Sequence, residues 1–161
     1  ILAFGGSLPK GYYKDPKKSE ETFPTIRGRR YVMPGDYAKV LDDGSIELLG
    51  RGSSVVNSGG EKIYPSEVEE VLISHPAVDD VVVFGTAHPT WGEVLSAAVA
   101  VHEGSAVTAE DLTEFVGESL AGYKKPRVVL IKPSLERSPS GKVNITVLKT
   151  EAATALGLDK A

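Results

Sequence analysis

The hydrophobic pattern of this 161-residue chain changes near residue 51, and that change limits what the chain can fold into. From residue 30 to residue 50, short alternating apolar runs are typical of β-strands. Beyond residue 51, apolar runs of strand length alternate with stretches of helical period. The order of elements there is β-α-β-β-α-β followed by a terminal helix, which predicts an α/β (α+β) domain of the split βαβ type.

The most clearly marked element before residue 51 is a β-hairpin. Two alternating apolar runs, 37–41 and 45–49, flank the turn Asp42-Asp43-Gly44. An Asp-Gly pair between such runs favours a type I′ turn, because that turn needs positive φ at both central residues. Upstream, residues 5–30 are expected to be loop with a short helix at 17–23, and residues 31–33 to be a strand.

Capping signals and apolar periodicity define the first helix after residue 51. Ser66-Glu67-Val68-Glu69 matches a capping box, with Pro65 directly before it. Val68, Val71 and Leu72 would then form one apolar face of a helix that ends before Pro76.

A second helix and a set of strands follow from the same kind of signal. Thr108 is expected to cap the helix and Gly122 to stop it. The strands are expected at 80–85, 94–102 and 127–132, and the terminal helix at 144–156. The apolar face of the second helix consists of Leu112, Phe115, Val116 and Leu120.

Composition excludes several classes of function. A net charge of −4 argues against a nucleic-acid partner, because such binding depends on Lys and Arg neutralising phosphates. The absence of cysteine removes disulfides and thiolate chemistry, and His75, His88 and His102 lack metal-ligand spacing, so no metal site is predicted. No apolar run is long enough for a transmembrane segment, and a cytoplasmic location is expected.

Two further observations concern the chain as a whole. It begins inside an apolar run, residues 1–4, and its only methionine is Met33, so we expect a truncated protein, whether natural or not. Local basic clusters at residues 27–30 and 124–127 leave a small anionic ligand open.

Three motifs within residues 35–69, together with a later one, carry a resemblance to a known family. They are Gly35-Asp36-Tyr37, the run from Asp43 to Arg51, the run from Ser58 to Glu69, and Ser138-Pro139-Ser140-Gly141-Lys142. The chain resembles adenylate-forming enzymes from residue 11 to about residue 148: acyl-CoA synthetases, firefly-luciferase-like enzymes and adenylation domains of peptide synthetases. In the local sequence of these motifs it is most similar to actinobacterial fatty-acyl or steroid-acid CoA ligases.

The resemblance implies a division of the chain and a set of nucleotide-binding residues. Residues 1–51 would be the tail of an N-terminal adenylation domain, and residues 52–161 a mobile C-terminal lid domain. Lys142 would be the catalytic residue, contacting ATP and the adenylate. Asp36 and Arg51 would bind the ribose and the nucleotide. Ser53 would be the hinge, although relatives typically have Asp or Lys there.

The resemblance also implies a CoA-binding surface, and each of its parts has a structural alternative. A tight hairpin between Val56 and Ile63 would also require Gly59-Gly60, and core packing would also explain Trp91. The alternative for the basic run 123–127 is a solvated helix exit. The residues implied in CoA binding are Ser58, Gly59, Gly60, Glu61, Trp91, Tyr123 and Lys125.

The implied activity is that of an ATP-dependent carboxylic acid–CoA ligase acting through an acyl-adenylate. Its cofactor would be ATP with Mg²⁺ held outside this fragment, with CoA as co-substrate, a small carboxylic acid as substrate and the missing N-terminal domain as partner. The fragment alone is expected to be inactive, and the acyl substrate is not encoded in these residues. Two alternatives remain: an adenylation module that loads a separate carrier protein, and a non-catalytic α/β binding domain.

Overall fold

The computed structural model describes residues 1–158, without the side chain of Ser53. The chain divides into two compact units, Ile1–Ser53 and Ser54–Ala161. A 3₁₀ turn, Gly52–Ser54, lies at the boundary. The interpretation of the two parts as the tail of one domain and a mobile lid stays a prediction.

The first unit contains one short helix and two small antiparallel ribbons. Helix α1 is Pro16–Thr22, and Asp15 caps it by accepting the Lys18 N–H, which confirms the helix expected at 17–23. The expected strand at 31–33 is wrong. Strands β1 (Thr25–Ile26) and β2 (Arg29–Arg30) pair instead, and Val32 forms only an isolated bridge with Phe4. The reason is local: Arg27 and Gly28 both have positive φ, which suits a tight two-residue turn.

The predicted hairpin forms, but with a different turn. Strands β3 (Asp36–Val40) and β4 (Ile46–Arg51) are antiparallel. The Gly44 N–H donates to the Leu41 carbonyl at 2.9 Å, and only Gly44 in this turn has positive φ. The type I′ assignment is therefore wrong, and the loop is a type I turn completed by a left-handed glycine. Asp43 accepts from Ser45, and that hydrogen bonding lowers the pKa of the Asp43 carboxyl.

The second unit is built on one five-stranded sheet. Strand β8 (Gly92–Val101) lies in the middle and pairs with the antiparallel β7 (Val78–His88) along its whole length. On its other side it pairs with β5 (Val56–Ser58) near Gly92 and with the parallel β9 (Val128–Lys132) further along. Strand β6 (Glu61–Ile63) completes the sheet beside β5. The predicted split βαβ order is confirmed.

Helices cover both faces of this sheet. Alternate residues of a strand point to opposite faces. Val81, Val83, Leu95, Ala97 and Val99 pack with helices α2 (Pro65–Ile73) and α3 (Ala109–Ser119). Their neighbours Phe84, Ala98 and Ala100 pack with Leu148 and Ala152 of helix α4 (Ile145–Ala155) on the other face. The apolar faces predicted for the helices are thus the ones that are buried.

The predicted helix ends are right in part. Thr108 caps α3 in a capping box with Asp111, but α3 ends at Ser119, where Leu120 turns to extended backbone, so Gly122 is not its stop. The capping box predicted at Ser66 is wrong, because α2 begins one residue earlier with Pro65 in its first turn. Glu69 is used differently, and its carboxylate accepts the Val83 N–H at 2.8 Å.

None of the helices in residues 1–158 is both long enough and apolar enough to cross a membrane.

Candidate functional site

Residues 138–142, here called the lysine loop, form a closed turn between β9 and α4. The Ser138 N–H donates to the Lys142 carbonyl at 2.8 Å, and the Gly141 N–H donates to the Ser138 carbonyl at 2.8 Å. The Lys142 N–H in turn donates to the Ser138 hydroxyl at 3.1 Å. Gly141 has a φ of 77°, which glycine adopts without strain. The backbone of the loop is therefore fixed by its own hydrogen bonds.

The side chain of Lys142, unlike its backbone, is not held by hydrogen bonds within residues 1–158. The residue is exposed. Throughout residues 1–158, no hydrogen bond or ion pair involves its ammonium group. Lys124 is a contrast, because its ammonium is paired with the Glu67 carboxylate and is partly buried. Lys142 thus carries an available positive charge at the tip of an ordered loop.

Asp36 and Arg51, both predicted to contact the nucleotide, lie opposite each other in the first unit. They are direct partners in the register of β3 and β4, and Arg51 Nε lies 3.6 Å from Asp36 Oδ1. Arg51 is exposed and Asp36 is half-buried. One carboxylate acceptor and one multidentate guanidinium donor thus stand side by side, an arrangement that suits vicinal hydroxyls next to a phosphate.

Ser53, the predicted hinge, lies in the 3₁₀ turn Gly52–Ser54 at the boundary between the units. Its side chain is outside the described part of the structure, so the hinge assignment stays a prediction. Gly52 beside it is required by packing, because a Cβ there would lie 2.5 Å from Cε2 of the Tyr37 ring.

Part of the predicted CoA-binding set comes together at the β5–β6 turn. Gly59 and Gly60 both have positive φ, so this turn is the type I′ hairpin that was expected elsewhere. The Gly59 N–H donates to the Trp91 carbonyl at 3.0 Å, and a Cβ on Gly59 would lie 2.7 Å from the Trp91 ring. The Trp91 side chain is 41% exposed, so core packing does not explain it.

Arg127 joins this group, although it is not among the predicted contacts. Its guanidinium carbon lies 5.0 Å from the centroid of the Trp91 ring, in a cation–π contact. We call Gly59, Gly60, Trp91 and Arg127 the tryptophan face. The run 123–127 was recognised from sequence as basic, but the sequence does not show which of its cations meets Trp91.

The other predicted CoA contacts are not brought into this group by any recorded interaction. Ser58 and Glu61 are paired in the β5–β6 ribbon beside the glycines. Tyr123 is exposed and contacts the Lys124 ammonium. The stem of Lys125 lies across Gly117 of α3. Their roles in CoA binding stay predictions, as do those of Gly59, Gly60 and Trp91.

No group of three His, Asp or Glu side chains within residues 1–158 is arranged to hold a metal ion. The Mg²⁺ that the family resemblance implies thus finds no such cluster among the described residues.

Comparison with known proteins identifies the second unit. The family model of the AMP-binding enzyme C-terminal domain matches residues 67–142, which run from α2 to the lysine in the loop. The chain carries this domain. This match to the C-terminal domain of AMP-binding enzymes confirms the resemblance that the motifs carry.

Curated proteins similar to this chain are CoA ligases. A medium/long-chain-fatty-acid–CoA/3-oxocholest-4-en-26-oate–CoA ligase of Mycobacterium marinum is 49% identical over 96% of this chain. A 3-oxocholest-4-en-26-oate–CoA ligase of Rhodococcus rhodochrous is 48% identical over 88% of it. The chain spans only 28% and 26% of the length of these two relatives.

Solved structures of similar fold are adenylate-forming enzymes. ATP-bound MatB from Rhodopseudomonas palustris superposes with a TM-score of 0.75 at 29% identity, covering 91% of this chain and 28% of that one. The o-succinylbenzoate CoA synthetase of Bacillus subtilis, in complex with its acyl-adenylate intermediate, has a TM-score of 0.74 at 36% identity, covering 87% of this chain and 28% of that one.

Proposed function

We propose that this chain is part of an ATP-dependent carboxylic acid–CoA ligase that acts through an acyl-adenylate, with a fatty acid or steroid acid as substrate. The observation that carries the proposal is the ammonium of Lys142, which has no partner within residues 1–158 and stands on a loop of fixed backbone. The names of the mycobacterial and rhodococcal relatives support the reaction class. Because those relatives are more than three times as long as this chain, a larger N-terminal adenylation domain is the proposed partner.

Lys142 would act in the first half-reaction. A carboxylate that attacks the α-phosphate of ATP brings two anions together, and negative charge grows as pyrophosphate leaves. A cation positioned at that centre stabilises the transition state more than the ground state. The ordered backbone of the lysine loop supports this role, because a charge carried on a fixed support needs little reorganisation when it reaches the phosphate.

Asp36 and Arg51 would hold the nucleotide. The Asp36 carboxylate can accept both vicinal hydroxyls of a ribose, and the Arg51 guanidinium can donate to an adjacent phosphate. ATP would arrive with Mg²⁺ bound to its phosphates, and the ligands for that ion would belong to the N-terminal domain.

The tryptophan face would act in the second half-reaction. Gly59 and Gly60 suit the positive φ of this turn and have no side chains, so an extended thiol-bearing chain can approach their backbone closely. The Arg127 guanidinium beside Trp91 suits a phosphate of CoA. The lysine loop and the tryptophan face belong to different loops of one unit, so a rotation at Ser53 would exchange them over a single site.

The test of this proposal is to measure the two half-reactions separately for Lys142→Ala. The variant is made in the chain joined to an N-terminal adenylation domain. Adenylation is followed by pyrophosphate release, and thioester formation by the reaction of supplied acyl-adenylate with CoA. We expect adenylation to slow by about a hundredfold or more, the usual effect of deleting a preorganised charge donor, with a much smaller change in thioester formation. Lys149→Ala, which removes an exposed lysine of α4, is the matched control.

Two results would contradict the proposal. Equal slowing of both half-reactions by Lys142→Ala would exclude an exchange of the two faces. Transfer of the acyl group to a carrier protein, with none to CoA, would replace the ligase by the adenylation-module alternative.

A further inference from the structure

The outer edge of β7 is covered by side chains. Strand β7 lies at one end of the sheet order, beyond β8. The Val83 N–H is bound by the Glu69 carboxylate at 2.8 Å, and the Val81 N–H by the Asp80 carboxylate at 2.8 Å. The Val81 carbonyl accepts from Arg137 at 3.1 Å. An uncovered edge is a template for unwanted pairing, so these contacts have a structural use.

Arg137 does more than cover the edge, because it also binds the lysine loop. Its Nε and one terminal nitrogen donate to the two oxygens of Asp80 at 2.7 and 2.8 Å, in the bidentate geometry that guanidinium and carboxylate favour. Its other terminal nitrogen donates to the carbonyl of Gly141 at 2.8 Å. One planar group thus connects β7 to the residue directly before Lys142.

The segment leading to the loop directs Arg137 toward Asp80. Leu135 is buried against α4 and fixes the chain two residues upstream. Glu136 has a φ of 48°, a left-handed conformation that is uncommon for a residue other than glycine. Such a conformation persists when the surrounding contacts enforce it. The contacts of Leu135 and Arg137, on either side of Glu136, are the ones that do so here.

We propose that Arg137 and Asp80 are positioning residues for Lys142, holding the lysine loop against the edge of β7 while the ammonium approaches the phosphate. This inference rests on the proposed function of Lys142. The loop is closed by its own hydrogen bonds and so moves as one piece, and the Arg137 contacts determine where that piece lies on the sheet.

A purely structural role predicts a different outcome. Arg137 and Asp80 expose 38% and 33% of their side chains, and ion pairs exposed to this extent add little to folding stability. A positioning role predicts instead a selective effect on the reaction that uses Lys142. Misplacement by about 1 Å at a reacting centre is enough to slow a reaction by about a hundredfold.

The experiment compares Arg137→Met with a matched control, Lys132→Met. Lys132 forms an ion pair with Glu151 at 2.7 Å in the same unit but does not contact the lysine loop. In the chain joined to an N-terminal adenylation domain, we expect Arg137→Met to slow adenylation by about ten- to a hundredfold and to change thioester formation by less than about twofold. Lys132→Met should affect neither half-reaction.

A second readout does not depend on activity. Trypsin cleaves after Lys142, and cleavage of the folded protein there requires the loop to leave its position. We expect Arg137→Met to accelerate this cleavage by about tenfold and Lys132→Met to leave it unchanged. Arg137→Lys keeps the charge but loses the planar fork, so it should behave like Arg137→Met.

Asp80→Asn is the second variant. It tests the positioning role if Arg137→Met does not fold. It should give the same selective loss of adenylation, and the double variant should be no slower than either single one, because both changes break one connection. Unchanged cleavage, or equal slowing of both half-reactions, would overturn the positioning role. If Lys142→Ala leaves adenylation intact, the proposed function fails, and the cleavage rates alone then decide whether Arg137 anchors the loop.

Discussion

The contact between Gly59 and Trp91 allows a sharp test of the tryptophan face. Gly59→Ala places a methyl group 2.7 Å from Cε3 of the Trp91 ring, closer than carbon atoms can approach without moving. The ring must therefore shift away from the β5–β6 turn. Because Arg127 lies over the same ring, the shift also disturbs the cation–π contact.

The expected loss of stability has two parts. Gly59 has a φ of 59°, and a left-handed conformation costs a residue with a Cβ about 1–2 kcal/mol. Loss of an exposed cation–π contact adds roughly 0.5–1 kcal/mol. Gly59→Ala should therefore lower the free energy of unfolding by about 2 kcal/mol, which corresponds to roughly 8 °C or more in Tm for a unit of about 100 residues.

Gly60→Ala is the matched control, because Gly60 also has positive φ, 93°, but has no atom within 4 Å of the added methyl group. Backbone strain is thus common to both variants, and only Gly59→Ala displaces the ring. Trp91 is the only tryptophan of the chain, so its fluorescence reports the displacement directly. We expect a red-shifted emission for Gly59→Ala and none for Gly60→Ala, with thermal unfolding followed by circular dichroism.

Identical emission spectra for the two variants would refute the reasoning, because the ring would then not be held against Gly59. In the chain joined to an adenylation domain, Gly59→Ala should also slow thioester formation more than adenylation. That pattern is the reverse of the one expected for Lys142→Ala.

Two further predictions concern the second unit. Thr108→Ala removes the acceptor of the Asp111 N–H in the capping box of α3 and should lower the free energy of unfolding, measured in urea, by about 1 kcal/mol. Thr108→Ser keeps a hydroxyl acceptor and should retain most of the stability that the cap contributes. Hydrogen bonding to Arg137 lowers the pKa of the Asp80 carboxyl below its ordinary value of 3.8. The contribution of Asp80 to stability is therefore complete well above pH 3.8 and is lost as the pH falls through the lowered pKa. Asp80→Asn should therefore be less stable than the parent chain at pH 7, by no more than about 1 kcal/mol since the pair is partly exposed, and the difference should shrink below the ordinary pKa and disappear below the lowered one. A constant difference across the whole pH range would contradict this account.

Much of the second unit was predictable because its signals are local. The apolar spacing of Val68 and Leu72, and of Leu112 and Val116, reports the buried face of each helix directly. Thr108 and Asn144 cap α3 and α4 by bonds to residues three positions away. Such patterns lie within one or two turns of the chain and need no knowledge of the tertiary structure.

The errors arose where another contact competes with the pattern on which the prediction was based. Glu69 has the right spacing from Ser66 for a capping box, but the uncovered edge of β7 supplies another donor, the Val83 N–H. Burial there raises the pKa of the Glu69 carboxyl, an effect that the hydrogen bond from Val83 opposes. At the β3–β4 turn, Asp43 binds Ser45 and does not take positive φ. Glu69 thus binds a strand that is distant in sequence, whereas Asp43 binds a residue two positions away, so only the first error required a tertiary contact.

The contacts of the candidate site were even harder to predict from local sequence patterns. Lys142, Asp36 and Gly59 were found because they lie in motifs that resemble a family. Arg137 and Asp80 are 57 positions apart, and no local pattern connects them. Arg127 and Trp91 are likewise joined only by the way β8 and β9 pair.

The role proposed for Lys142 sets two requirements for its charge. A charge that stabilises a transition state has to be held in place, yet it must not already be neutralised by a partner in its own domain. Lys124 meets only the first requirement, because its ammonium is bound to Glu67. Lys142 meets both, because its position is fixed through the backbone of its loop and through Arg137, while its ammonium remains available. Anchoring and charge are thus assigned to different residues, and a substitution at Arg137 should misplace the charge without removing it.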